Sequence, residues 1–203
     1  MLGCAADAPV DTPREMPPVR VPAGYDSAVA TPLIVLLHGY TLSGEGQDAY
    51  MGLSDLVDDY GFIMAAPDGT RENGPDENRF WNASPSCCNF FESEVDDSAY
   101  LAGLIDSIKA DYNVDDKRVY LIGHSNGGFM SYRMAHGHSD AIAAIASLAG
   151  ADQPAGRDTP ANPVHVLQIH GTADTVISYD GGVFRGGAPH PGAREGVEAW
   201  SAH

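Results

Sequence analysis

The stretch Val119-Tyr120-Leu121-Ile122-Gly123-His124-Ser125-Asn126-Gly127-Gly128-Phe129-Met130 decides how the chain is read. Val119 to Ile122 is a short apolar run with a β-branched residue at each end, which suits a strand buried on both faces. Residues 123–127 fit the pattern G-x-S-x-G, and a helix-compatible segment follows from Gly128 through Ala135. Strand, sharp turn and helix form the context in which that pattern carries chemistry. A serine hydroxyl is a weak nucleophile unless a base takes its proton and its oxygen stands clear of the surface. A tight turn lifts Ser125 to the top of the sheet, and flanking glycines leave room for it. The helix that begins there aims its amide hydrogens at the same place, so the Asn126 amide is placed to bind a developing oxyanion. The bland alternative is a glycine-rich turn with an incidental serine. The strand before it and the partners described below favour chemistry.

Working outward, the rest of the chain alternates strands with helices. Leu33 to Gly39 is a continuous apolar run that reads as a central parallel strand, followed by His38-Gly39-Tyr40-Thr41. A loop containing Gly44 and Gly46 leads to a predicted helix over Ala49 to Tyr60. Residues 61–69 read as a second buried strand with its turn. A long polar loop from Thr70 to Phe91 carries Trp81, Cys87 and Cys88. The spacing of Leu101, Leu104, Ile105 and Ile108 predicts a helix over Val95 to Tyr112 lying on a sheet, with Ser93 and Asp96 able to cap its start. Ala141 to Leu148 and Val164 to Ile169 read as two more strands, 181–192 as a glycine-rich loop, and Ala193 to Ala202 as a last helix. Such alternation predicts a parallel α/β sheet. The length of 203 residues suits one domain, placed over 19–203, after a proline-rich, structureless segment 1–18.

Composition narrows the partners. The chain has 11 Lys and Arg against 28 Asp and Glu, a formal charge of −17. That surface argues against nucleic acid and anionic membranes. No stretch is long enough to span a membrane. Three cysteines leave at least one without a partner in the chain. Adjacent cysteines rarely bond to each other, so one of Cys87 and Cys88 is expected to seek a distant partner. Zinc is disfavoured, because no further ligand sits at the right spacing. Met1-Leu2-Gly3-Cys4 ends in the manner of a bacterial lipoprotein signal, but with one residue before the leucine. Two readings stand: a lipid anchor at Cys4, and an ordinary disordered N-terminus.

In an open α/β sheet, ligands gather at the carboxyl ends of the strands. The Tyr40 amide, in a glycine-relieved turn after the first central strand, is the expected second oxyanion donor. His38 is expected to be structural, holding that loop by a hydrogen bond. Gly171-Thr172-Ala173-Asp174 follows the last strand, and Asp174 is the candidate to orient an imidazole. Its rivals are Asp68, which reads as a turn residue, and Asp152, which comes one strand early. The base is the difficulty. His190 and His203 lie beyond Asp174 but neither follows a further strand, and His136 and His138 come too early and are expected to be exposed. Trp81 reads either as an aromatic anchor for its loop or as a wall of the substrate pocket.

Several segments carry a resemblance. They are Val21-Pro22-Ala23-Gly24-Tyr25, Leu36-Leu37-His38-Gly39-Tyr40, Pro67-Asp68-Gly69-Thr70, Phe80-Trp81-Asn82, Val95-Asp96-Asp97, residues 123–130, Ser147-Leu148-Ala149-Gly150 and 169–174. The chain resembles the polyhydroxybutyrate depolymerase and feruloyl esterase group of α/β-hydrolases, from about Val19 to its end. The resemblance implies an α/β-hydrolase fold, a mostly parallel sheet with helices on both faces, and a serine hydrolase of carboxylic esters. Ser125 would be the nucleophile and Asp174 the acid. The group's base lies in a glycine-rich His-Thr-Trp-Pro context that this chain lacks. The group also carries a later cysteine, which would be a partner for Cys87 or Cys88. Both absences lead to the expectation of a C-terminally shortened copy without its last strand and histidine loop.

The expected activity is ester hydrolysis through an acyl-enzyme, needing no metal or organic cofactor, on a small-molecule or polymeric ester. Many members of the group are secreted, which implies a secreted or cell-envelope location. Two alternatives remain: a non-catalytic ester- or glycan-binding module, and an acyltransferase using the same site.

Overall fold

A computed structural model describes residues 14–152 and 159–203. Cys4, the lipid anchor considered above, and most of the proline-rich segment lie outside the described residues. The elements begin with β1 (Val19–Arg20), β2 (Thr31–Leu37), α1 (Gly44–Met51), a 3-10 turn (Ser54–Leu56), α2 (Val57–Tyr60) and β3 (Ile63–Ala65). They continue with β4 (Thr70–Arg71), β5 (Arg79–Phe80), α3 (Asp97–Asp111), β6 (Val114–His124), α4 (Asn126–Gly137) and β7 (Ala144–Leu148). The last are β8 (His165–Ile169), β9 (Gly182–Val183), β10 (Pro189–His190) and α5 (Ala193–Trp200).

Six strands form one sheet in the order β1-β3-β2-β6-β7-β8. All neighbours are parallel except β1 and β3. Register carries the functional consequence. Leu37 pairs with Gly123, His124 with Leu148, and Leu148 with Ile169. The loops that follow β2, β6, β7 and β8 therefore leave the sheet side by side, at one edge.

Burial explains why these segments order. Leu33, Val35 and Leu37 point to one face and are fully buried, joined there by Leu101, Leu104, Ile105 and Ile108 of α3 and by Phe129 and Met130 of α4. Leu36, Met64, Val57 and Phe62 fill the opposite face. Each such side chain contributes roughly 1.5–3 kcal/mol of transfer free energy, as an upper estimate.

Three local readings are corrected. The helix expected over 49–60 begins earlier, at Gly44, because the Ser43 hydroxyl accepts from the Gly46 amide at 3.1 Å. It then stops at Gly52, whose φ of 67° is left-handed, and resumes as the short α2. The polar loop 70–91 and the glycine-rich loop 181–192 each contain a two-stranded hairpin, β4–β5 and β9–β10. The strand read at 164–169 forms as β8. It is the sheet edge, with Leu167 56% and Ile169 49% exposed.

Candidate active site

Ser125 sits between β6 and α4 with φ 52° and ψ −117°. A non-glycine residue in that region carries about 1–3 kcal/mol of strain and is held there by its surroundings. Its amide donates to the Leu148 carbonyl at 2.7 Å, which pins the turn to β7. Glycines make the turn sterically feasible. A Cβ at Gly123 would run into the Gly127 carbonyl, and one at Gly127 into the Leu37 carbonyl. The elbow thus packs backbone against backbone on β2. The serine is half-buried and lines an open cleft of about 620 Å³. Its hydroxyl makes no hydrogen bond among the described residues.

The turn after β2 lies against the elbow. A Cβ at Gly39 would stand 3.5 Å from the Ser125 Cβ. His38, fully buried, holds this turn: Nδ1–H donates to the Gly39 carbonyl at 2.7 Å, and Nε2 accepts from the Gly69 amide at 2.8 Å. Burial lowers its pKa to about 4, outweighing the opposing pull of the Gly39 carbonyl and Asp68. The Gly39 amide is committed to Gln47 Oε1 at 3.1 Å, and the Thr41 amide to the Arg79 carbonyl at 2.9 Å. The Tyr40 amide between them has no acceptor among the described residues. Neither has the Asn126 amide, the first of α4, where helix N–H groups lack an intrahelical acceptor. Tyr40 and Ser125 line the same cleft.

Asp174 lies in the turn after β8. Its Oδ1 accepts from the amides of Val176 at 2.8 Å and Ile177 at 3.0 Å, and its Oδ2 stands 3.5 Å from His170 Nε2. His170 is committed elsewhere. Its Nδ1 accepts from Gln168 at 3.1 Å and its Nε2–H donates to the Ile177 carbonyl at 2.7 Å. The side chain of Asp174 keeps 18% exposure. Its field reaches His124 on the elbow, raising that pKa against the larger lowering by burial. Val176 lines the cleft with Ser125, so this turn shares the rim of the elbow.

The rival carboxylates are engaged. Asp68 accepts from the Gly44 amide at 2.8 Å and pairs with Arg79 at 2.8 Å. Asp152, 2% exposed, bonds His136 Nε2 at 3.0 Å. His136 is therefore not exposed as expected. The end of α4 is covered by Trp200 of α5, whose ring meets the imidazole edge-on at 4.8 Å. His138 bonds the Ser98 hydroxyl at 3.0 Å. His190 is buried on β10, edge-on to Phe129 at 6.1 Å, and its Nδ1–H donates to the Pro191 carbonyl at 3.0 Å. His203 packs beside Trp200 at 5.7 Å. None of the eight histidines hydrogen-bonds Ser125.

Two further expectations are corrected. Trp81 does not wall the cleft; it is fully buried, and its indole N–H donates to the His38 carbonyl at 3.0 Å. Cys87 and Cys88 are bonded to each other, both in the core, with Cys88 reaching the cleft, so neither waits for a distant partner. Sequence reasoning missed the residues that furnish the cleft, among them Glu72, Asn78, Phe90, Phe184 and Arg185. They lie on the two hairpins and the segment beside them, and no motif marks them. Arg185 lies over the rings of Phe90 and Phe184 at 5.7 and 5.5 Å. Among the described residues no group of three or more His, Cys, Asp or Glu side chains is placed to hold a metal ion. No described helix is long and apolar enough to cross a membrane.

This topology, with a serine elbow between a central strand and its helix, defines an α/β-hydrolase. The chlorophyllase family profile matches residues 10–173, and the chain belongs to that family. It is 30% identical over 191 residues to feruloyl esterase B of Piromyces equi, covering 90% of this chain and 34% of the relative. It is 31% identical over 136 residues to poly(3-hydroxyalkanoate) depolymerase C of Paucimonas lemoignei, covering 64% of this chain and 30% of the relative. The chain thus spans about a third of the length of these relatives. A Bacillus cereus carboxylesterase superposes with a TM-score of 0.61 at 19% identity, over 92% of this chain and 78% of that one, which establishes the fold.

Proposed function

We propose that the protein is a serine-dependent carboxylic ester hydrolase that works through an acyl-enzyme. The observation that carries this reading is Ser125: a strained, half-buried serine at the head of α4, its hydroxyl uncommitted and facing a cleft of about 620 Å³. Ser125 Oγ attacks the ester carbonyl as its proton passes to a base. The amides of Tyr40 and Asn126 receive the negative charge on the carbonyl oxygen, and collapse expels the alcohol. Water then attacks the acyl-serine and the acid leaves. Asp174 orients and stabilises the protonated base. The reading leaves the base to a histidine that the described chain does not bring to Ser125. The esterases and the depolymerase among the relatives support ester chemistry. Transfer of the acyl group to another alcohol would use the same residues.

One observation favours a second reading, a module that binds esters or glycans without turnover: among the described residues no histidine hydrogen-bonds Ser125. A fluorophosphonate separates the two. Intact-mass spectrometry is expected to show one adduct on the wild-type chain, at Ser125, and none on Ser125→Ala. A folded wild-type chain that stays unlabelled both with and without added imidazole, which can stand in for the base, would reject the hydrolase in favour of the binding module. We also place the protein outside the cytoplasm, secreted or in the cell envelope. The relative named for a polymeric ester supports this, because an intact polymer does not enter a cell. Recovery of the native protein in the cytosolic fraction would contradict it.

A further inference from the structure

The cleft contains a carboxylate that the proposed reaction does not use. Glu72 follows β4, is 5% exposed, and lines the cleft with Ser125. Its Oε2 accepts from the Tyr40 hydroxyl at 2.8 Å and its Oε1 from Asn78 Nδ2 at 2.8 Å. The Glu72 amide donates to the Asn78 carbonyl at 2.9 Å, which closes the β4–β5 hairpin around the pair. No cation lies within ion-pair distance of Glu72 among the described residues. A buried carboxylate held only by neutral donors is an expensive placement, and it persists where the groups it holds matter.

What Glu72 holds is the turn after β2. The same hairpin grips this turn twice: the Arg79 carbonyl takes the Thr41 amide at 2.9 Å, and Glu72 takes the Tyr40 phenol. The Tyr40 ring is also steadied by Phe90, edge-on at 5.2 Å. Tyr40 is thereby fixed at both ends, by its peptide and by its hydroxyl, and its unpaired amide stays where the turn meets Ser125.

We propose that Glu72 is a positioning residue for the oxyanion site: through the Tyr40 hydroxyl it fixes the backbone whose amide receives the developing charge. This rests on the hydrolase reading of Ser125. The tie predicts a firm phenol proton, and the Tyr40 pKa is indeed pushed up to about 12, by burial first and then by the bond to Glu72.

The test compares the wild-type chain with Glu72→Ala, Glu72→Gln and Tyr40→Phe by two measurements. The first is the 15N order parameter of the Tyr40 amide. The second is the second-order rate of Ser125 labelling by a fluorophosphonate. In wild type the order parameter is expected near that of rigid backbone, about 0.85, falling toward about 0.6 in Glu72→Ala and Tyr40→Phe. Labelling in those two variants is expected to slow by about tenfold or more, since a misplaced oxyanion donor loses part of what a deleted one loses. Glu72→Gln keeps an acceptor for the phenol and lets the Asn78 amide reverse, so it is expected to recover most of both values. Unchanged order parameter and labelling rate in Glu72→Ala would overturn the proposal. So would a slowed label with an immobile Tyr40 amide. If wild type takes no label even with added imidazole in place of the base, the hydrolase reading fails, and the order parameters alone still decide whether Glu72 holds the turn.

Discussion

Asn126 grips both polar ends of the Trp81 backbone: its Oδ1 accepts from the Trp81 amide at 2.6 Å and its Nδ2 donates to the Trp81 carbonyl at 3.0 Å. Both residues are fully buried. The indole of Trp81 in turn donates to the His38 carbonyl at 3.0 Å. The asparagine therefore ties α4 to the loop before α3, and Trp81 ties that loop to the turn after β2. The residue whose amide is the proposed oxyanion donor also clamps the buried Trp81 backbone with its side chain.

Asn126→Ala strands two buried backbone groups at once. It is expected to destabilise the protein by about 3 kcal/mol, at about 1–3 kcal/mol for each unsatisfied group. Urea unfolding measures this. A loss below about 0.5 kcal/mol, the range of a featureless surface change, would show that water or a local shift replaces both bonds.

His38 makes stability depend on pH. Its folded pKa of about 4 lies below the ordinary 6.5. The unfolded chain then binds the proton first as pH falls, so stability is complete above 6.5 and is lost as the pH falls toward 4. The drop is worth on the order of 3 kcal/mol, at about 1.4 kcal/mol per pH unit. Thermal melts of wild type and His38→Gln between pH 7.5 and pH 4 are the check, at roughly one-unit steps. The variant is expected to be less stable at neutral pH and to lose less on acidification. Parallel pH profiles would contradict a neutral, buried imidazole.

Arg14 compensates a buried charge. Its guanidinium meets Asp97 at 2.6 Å and lies over the Tyr100 ring at 3.6 Å. Asp97 is fully buried and also accepts from the Asn82 amide at 2.6 Å and the Thr70 hydroxyl at 3.1 Å. Burial raises the Asp97 pKa above 3.8, and Arg14 is the largest opposing influence. Arg14→Ala is expected to cost about 3 kcal/mol at neutral pH. The deficit should shrink on acidification, because a raised carboxyl contributes most below its unfolded pKa and loses that contribution as pH rises through the folded one. In an Asp97→Asn background the same change should cost under about 1 kcal/mol, which a double-mutant cycle reads directly. Additive losses would show that the two side chains do not act as a pair.

Gly127→Ala drives a methyl group into the carbonyl of Leu37. Backbone cannot yield as a flexible side chain does, so a loss of about 3 kcal/mol or more is expected. Gly171→Ala, which meets nothing within 4 Å, is the control and should stay within about 0.5 kcal/mol. Equal melting temperatures for the two variants would mean that the elbow is looser than its packing implies.

The parallel sheet, its chain order and the serine elbow were legible because their signals are local. Apolar runs of strand length, the helical spacing of Leu101, Leu104, Ile105 and Ile108, and glycines bracketing Ser125 each express a constraint within a few residues. Boundaries were less legible where one residue decides them, as Gly52 does in ending α1. The exposed face of β8 was not legible at all, since an apolar run does not say whether a strand stands at the edge of its sheet.

Sequence by itself determined that this chain builds an α/β sheet around a serine elbow and places Asp174 after the last strand of that sheet. Tertiary structure alone decided the company that site keeps. Glu72 with Tyr40, Asn126 with Trp81, and His136 with Asp152 are pairs separated by 32, 45 and 16 residues. Which loops meet at the carboxyl edge follows from strand order and register, and hydrogen bonds form between whatever groups that order brings within reach. No local pattern encodes such partners, because each residue's spacing along its own segment is the same whether or not its partner arrives.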